Sequence, residues 1–216
     1  MIRDGEPLDE PEHLPRVSLA SPPGEQPMSD RRFAVIGVGT GGSSAVDRLL
    51  ASGLDATMSP VVFIAADIDA EALSTAQAPH HLLLTGDRDA RARSSVLRDR
   101  LRHLLTDVTS LIIVAGLGGA TGTRSCVQLA RLADSLGVET IGVVTTPFFF
   151  EGRRRREHAE SGLRSLTDAV DALFTLPNQE LFTRLGARST LEQAFGLADE
   201  SMAREVSRVV HNLSTP

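Results

Sequence analysis

The chain has 216 residues, a formal net charge of −6 and one cysteine. That length suits a single α/β domain with a sizeable core, and an acidic balance with scattered arginines argues against a nucleic-acid binder. A lone Cys126 provides no disulfide framework and suits a reducing cytoplasm, while no apolar run approaches the ~18–20 residues of a membrane span or a signal core.

Residues 1–31 hold prolines at 7, 11, 15, 22, 23 and 27 among Asp4, Glu6, Asp9, Glu10 and Glu12. Such a segment buries too little apolar surface to offset its ordering entropy, and the expectation is a disordered acidic tail. From Arg32 the pattern alternates. Phe33–Gly37, Val61–Ala66, Leu111–Gly116, Glu139–Thr145 and Ala172–Leu176 read as strands, with Leu82–Leu84 as a short edge strand. Helices are expected near 43–52, 93–107, 124–136 and 155–170; Leu97, Leu101, Leu104 and Leu105 form the core stripe of the second. Strand–helix alternation with almost wholly apolar strands predicts a three-layer, Rossmann-like α/β fold, a parallel sheet with helices on both faces.

Two glycine loops carry the chemistry. Leu111-Ile-Ile-Val-Ala115 runs into Gly116, Gly118, Gly119 and Gly122, interleaved with Ala120, Thr121 and Thr123, and a helical pattern follows. A buried strand that ends in a loop of close-approaching backbone, followed by a helix N-terminus, is an anion site, most often for phosphate. The first strand ends likewise in Gly37, Gly39, Thr40, Gly41, Gly42, Ser43 and Ser44. That loop satisfies G-x-G-x-x-G, and Asp67 stands where a dinucleotide fold would place its ribose acid. The second, larger loop argues instead for a nucleoside triphosphate gripped from two sides.

The second loop resembles the Gly-Gly-Gly-Thr-Gly-Thr-Gly signature of the FtsZ/tubulin GTPases, with Ala120 and Arg124 replacing two glycines. The likeness continues in order through Thr146-Pro-Phe-Phe-Phe-Glu-Gly-Arg-Arg-Arg155, Thr175-Leu-Pro-Asn-Gln179 and Ala194-Phe-Gly196. The resemblance implies a GTP- or GDP-binding domain, with any Mg²⁺ arriving on the nucleotide. The loop at 37–44 would take the α- and β-phosphates and the loop at 116–123 the rest. Glu151 and Arg155 would hold the ribose, while Arg153, Arg154 and Arg156 read as a solvated helix start. Asn178, Phe195 and Glu200 would hold the guanine. The family's Asn-Asp pair is Asp199-Glu200 here, and Asp67 replaces an Asn beside the retained Asp69. Arg124 would either ligate a terminal phosphate or block its entry.

Two departures stand out. Leu84-Thr-Gly-Asp-Arg-Asp-Ala-Arg91 replaces a longer Gly-rich loop that touches the γ-phosphate in the family. The sequence ends at Pro216, before the family's acidic catalytic loop and second domain. Thr190-Leu-Glu-Gln193 fits a capping box for a last helix reaching about Leu213. Its apolar face carries Ala198, Met202, Val206 and Val210, and its polar face carries Gln193, Glu200, Arg204 and His211. One polar face predicts a naturally one-domain protein. The resulting expectation is an FtsZ-like nucleotide binder with little hydrolysis alone, a GTPase only if a partner subunit supplies the acidic loop. It would cap or modulate filaments of a full-length FtsZ or another tubulin-family subunit. A nucleotide-independent interaction module that keeps the fold is the alternative.

Overall fold

The computed structural model describes residues 16–18, 31–53, 61–84, 90–185 and 188–214. Most of the expected acidic tail, and residues 85–89 of the shortened loop, lie outside the described residues. Within the tail, Arg16–Ser18 is not unstructured. It forms a short strand, β1.

The chain continues through β2 (Phe33–Val38), α1 (Gly39–Ala51), β3 (Val61–Asp67), α2 (Ala70–Thr75), β4 (His80–Leu83) and α3 (Ala90–Leu104). Then come β5 (Ser110–Gly116), α4 (Ala120–Asp134), β6 (Glu139–Thr146), a 3₁₀ turn (Phe149–Glu151) and α5 (Arg153–Thr167). It ends with β7 (Ala172–Pro177), α6 (Asn178–Leu181), a 3₁₀ turn (Phe182–Arg184) and α7 (Leu191–Ser214). The sheet order is β1-β7-β6-β5-β2-β3-β4. All neighbours pair in parallel except β1, which runs antiparallel to β7.

Side chains of β2 alternate between two cores, as strand geometry requires. Ala34, Ile36 and Val38 face one layer with Leu97 and Leu101 of α3, Leu129 and Ala133 of α4 and Leu166 of α5. Phe33 and Val35 face the other, against Val46 and Leu49 of α1 and Met202, Val206 and Val210 of α7. Arg98, Arg100 and Arg102 point outward from α3, as its leucine stripe predicts. Cys126 is wholly buried, and burial pushes its thiol upward, so it serves as a small core residue.

The Thr190 capping box forms as read. The Gln193 N–H donates to Thr190 Oγ1 at 3.2 Å, and the Thr190 N–H donates to Gln193 Oε1 at 2.9 Å. Two helices begin earlier than their apolar periodicity suggests. α1 starts at Gly39 and α4 at Ala120, so residues of each glycine loop make the first helical turn.

The chain leaves β2 toward β3 and β4, then returns to β5 on β2's other side. Strand order therefore reverses between β2 and β5, where Val38 pairs with Ala115. Ligands of open parallel sheets bind outside the carboxyl ends of the strands at such a reversal. Both glycine loops emerge there.

Candidate functional site

A cleft of about 810 Å³ opens at this point. Gly39, Thr40, Gly41 and Ser44 line it from α1, and Gly116, Gly119, Ala120, Thr121 and Gly122 from the second loop. Asp67, Asp69, Glu151, Arg155, Asn178 and Phe195 complete the sequence-expected residues that it gathers.

The two helix starts leave their first-turn amides without side-chain caps. Neither Val38, before α1, nor Gly119, before α4, gives a capping hydrogen bond. Uncapped first-turn N–H groups at the positive end of a helix are donors for an oxyanion. The loops are close neighbours: a Cβ on Gly39, whose φ is +72°, would lie 3.6 Å from the Gly122 nitrogen and 3.8 Å from Thr121 Cβ.

Some of the expected residues hold the loops instead of facing the cleft. A Cβ on Gly37 would overlap the Gly42 carbonyl, and one on Gly42 would overlap the Val114 carbonyl. These two glycines let α1 pack directly on the sheet. Ser43 does not line the cleft. Gly118 sits at φ +97°, its N–H donates to Thr123 Oγ1 at 2.9 Å, and Thr123 is buried. That bond fixes the turn and takes the Thr123 hydroxyl away from the cleft.

Beside the second loop, the Glu151 carboxylate is clamped. It accepts from the Phe148 N–H at 2.8 Å and from Arg155 Nη1 at 2.7 Å, and its side chain is only 8% exposed. Arg155 is half exposed and turns one edge toward Gly119. Of the neighbouring arginines, Arg153 pairs with Glu157 in solvent, as a solvated helix start predicts. Arg156 departs from that expectation. It donates to the Phe149 carbonyl at 2.9 Å and stacks over the Phe149 ring.

At the far end Asn178 is 4% exposed and its Oδ1 has no hydrogen-bond partner. A buried acceptor left unpaired costs about 1–3 kcal/mol, and this one belongs to the cleft wall. Phe195 is 39% exposed and meets Phe148 and Phe150 edge-on, leaving it at the cleft wall.

Of the neighbouring pair on α7, the carboxylate expected at the base, Glu200, is not the one that lines the cleft. Glu200 is exposed, faces away from the cleft and lies 3.6 Å from Arg204. Asp199 lines the cleft instead, one residue earlier and so about 100° round the helix. Burial pushes the Asp199 carboxyl up to about 6, against the opposing pull of Arg48. Arg48 is a wall residue that sequence reasoning missed, as are Glu192, Thr145 and Pro147. The only signal for Arg48 was its place one helical turn beyond Ser44. Arg124 does not line the cleft; it lines a separate groove between α4 and α5.

Among the described residues, no helix is long and apolar enough to cross a membrane, and no group of acidic, histidine or cysteine side chains could hold a metal by itself.

A family model described as the Tubulin/FtsZ family, GTPase domain, matches residues 32–186. The chain is 35% identical over 205 residues to the cell division protein FtsZ of Coxiella burnetii, covering 89% of this chain and 52% of that protein. Against the FtsZ of Pseudomonas putida it is 37% identical over 193 residues, 84% of this chain and 48% of the other. It thus spans about half the length of the curated relatives it matches. An FtsZ of M. jannaschii, solved as an empty dimer, superposes with a TM-score of 0.75 at 27% identity, over 86% of this chain and 56% of that one. CetZ2 from Haloferax volcanii, solved as a GTPγS-bound protofilament, shares the fold with a TM-score of 0.71 at 20% identity, over 83% and 58%. A parallel sheet whose order reverses between two glycine loops, matched by sequence across most of its length, places the chain in the tubulin/FtsZ family of GTPase domains.

Proposed function

We propose that the chain binds GTP or GDP in this cleft. The first turns of α1 and α4 take the phosphates, the Glu151–Arg155 pair takes the ribose, and Asn178, Asp199 and Phe195 take the guanine. The observation that carries the reading is the buried, unpaired Oδ1 of Asn178 in the cleft wall. A guanine offers N–H donors on the edge that such an acceptor would read, with a second acceptor available at Asp199. Mg²⁺ would enter on the phosphates, since it keeps water and phosphate ligands where protein ligands are few.

Hydrolysis by this chain alone is proposed to be slow. Phosphoryl transfer needs a group that orients the attacking water. The cleft carboxylates nearest the loops already have structural roles. Asp67 accepts from the Asp69 N–H, Asp69 caps α2 through the Glu71 N–H, and Glu151 is clamped by Phe148 and Arg155. An acidic group from a neighbouring subunit would complete the site. Exposed apolar side chains beside the cleft, Ile68, Phe149 and Phe150, support contact of this face with a full-length relative. Such docking would cap or shorten its filaments.

Thermal shift tests the binding claim, because a ligand specific to the folded state raises the midpoint with concentration. GTP and GDP are expected to raise it at micromolar to millimolar concentrations where ATP and NAD do not. No shift with either guanine nucleotide, with and without Mg²⁺, would favour the nucleotide-independent module. The filament claim is read by light scattering of a full-length FtsZ; an unchanged signal with excess chain would remove it while leaving nucleotide binding intact.

The raised Asp199 carboxyl makes binding pH-dependent. Guanine donors require the ionised form, so GDP affinity is expected to rise about tenfold between pH 5 and pH 7 as a group titrating near 6 loses its proton. In the unliganded chain the sign is opposite. Its folded-state value lies above the unfolded 3.8, so the stability contributed is full below about pH 4 and is lost as pH rises through 6. GDP itself also titrates near 6, so the decisive comparison is Asp199→Asn, which should remove this part of both slopes. Identical pH profiles for the two proteins would exclude Asp199 from base contact.

A further inference from the structure

The peptide that joins Gly118 to Gly119 separates the two sides of the second glycine loop. Gly119 lines the cleft. His158 of α5 lies behind the loop, in the groove that Thr123 and Gly162 also line. The Gly118 carbonyl oxygen is turned to that rear side, 3.3 Å from His158 Nδ1. A carbonyl oxygen only accepts, so this contact requires the imidazole to carry a proton on Nδ1. The peptide is planar and trans, which sets the N–H of the next residue opposite the C=O. Holding the Gly118 carbonyl to the rear therefore aims the Gly119 N–H forward, to the cleft side.

That orientation needs an anchor. A peptide flanked by two glycines has no Cβ on either side to resist its rotation. A larger residue cannot supply the stiffness at Gly118. Its φ is +97°, and a Cβ there would lie 2.7 Å from Pro147 Cγ and 2.9 Å from the Arg155 carbonyl oxygen. The preceding peptide is held by the Gly118 N–H, which donates to Thr123 Oγ1 at 2.9 Å. The following one is held by His158. The first turns of α5 thus meet the loop from two sides, Arg155 in the cleft and His158, three residues on, at the rear.

We propose that His158 is a positioning residue for the cleft: its Nδ1–H fixes the peptide between Gly118 and Gly119, so that the Gly119 N–H is presented as a donor to a phosphate oxygen. Donors held in place before the ligand arrives cost no reorganisation when it binds. The imidazole itself lines the rear groove and not the cleft, so it acts only through the backbone. The phosphate as the acceptor rests on the nucleotide reading above; the orientation of the peptide does not.

Two variants of the full chain test this. His158→Leu removes the donor, and His158→Asn restores an N–H close to the Nδ1 position. In the nucleotide-free wild type, side-chain ¹⁵N NMR is expected to show His158 protonated at Nδ1. The residual dipolar coupling of the Gly119 N–H should change in His158→Leu and return to the wild-type value in His158→Asn. GDP affinity, read by calorimetry, should fall about tenfold in His158→Leu, as for one hydrogen bond to a charged group, and recover to within about threefold in His158→Asn. A merely structural side chain would instead lower the melting point and the affinity in both variants alike. The assignment is overturned if neutral His158 carries its proton on Nε2, or if the Gly119 coupling is the same in all three proteins. It is equally overturned if His158→Leu binds GDP as the wild type does, or if His158→Asn restores nothing. A wild type that binds no GDP would remove the nucleotide reading, while the dipolar couplings would still decide the orientation. Should His158→Leu fail to fold, the tautomer and the coupling in His158→Asn decide it.

Discussion

Gly42→Ala is expected to destabilise the fold by about 3 kcal/mol or more, the upper range for overpacking a tight interior contact. The added methyl would overlap the Val114 carbonyl and lie 3.0 Å from the Gly37 carbonyl carbon. Both obstacles are backbone at the centre of the sheet, so relief requires α1 to lift from β2 and β5. Gly37→Ala meets the reciprocal obstacle at Gly42 and should behave alike. Gly41→Ala is the control. Its Cβ would lie 3.8 Å from Asp199 Oδ1, an ordinary contact on the open side of the helix. That variant should keep its urea midpoint while crowding the cleft. Equal urea midpoints for Gly42→Ala and the wild type, at unchanged slope, would contradict the packing role given to these glycines.

Asn178→Leu is expected to separate stability from binding. Leucine has the same number and branching of side-chain heavy atoms as asparagine and carries no acceptor, so the unpaired buried Oδ1 disappears. The nucleotide-free chain should gain stability, up to about 1–3 kcal/mol, because an unsatisfied buried polar group is removed. GDP affinity should fall about ten- to hundredfold, the equivalent of one lost hydrogen bond to a ligand donor. Opposite changes in the melting point and in affinity form a signature that damaged packing cannot imitate, since a packing defect lowers both. Loss of stability without loss of affinity would assign Asn178 to the scaffold. Such opposition between fold and function is expected where a site keeps a polar group for its ligand.

Much of the architecture was legible in local pattern. Apolar runs marked β2, β3, β5, β6 and β7 because strands buried on both faces need no polar side. The capping box marked the start of α7, since both of its hydrogen bonds close within four residues. The helical phase of α7 also placed Glu200 on the polar face, where it is exposed beside Arg204. Phase was less reliable at the start of the helix, where Leu191 and Phe195 fall by spacing on the apolar side yet remain exposed.

What the sequence by itself determined was the parallel strands β2 to β7, the two glycine loops and most of the residues that gather at the cleft. Only the tertiary structure decided which loop residues open on the cleft. Gly37 and Gly39 are two residues apart in one motif, yet Gly37 is pressed on Gly42 while Gly39 opens on the cleft. Asp199 and Glu200 are adjacent, but the docking of α7 on the sheet turns one inward and the other out. Arg124 follows the second glycine loop in sequence yet lines the groove behind it, because the side chains of α4 radiate in all directions from its axis. Arg16 pairs with Phe174 across a separation that no local periodicity records. Sequence spacing fixes the angle between side chains on one element; the direction in which that element turns them is set by packing against distant parts of the chain.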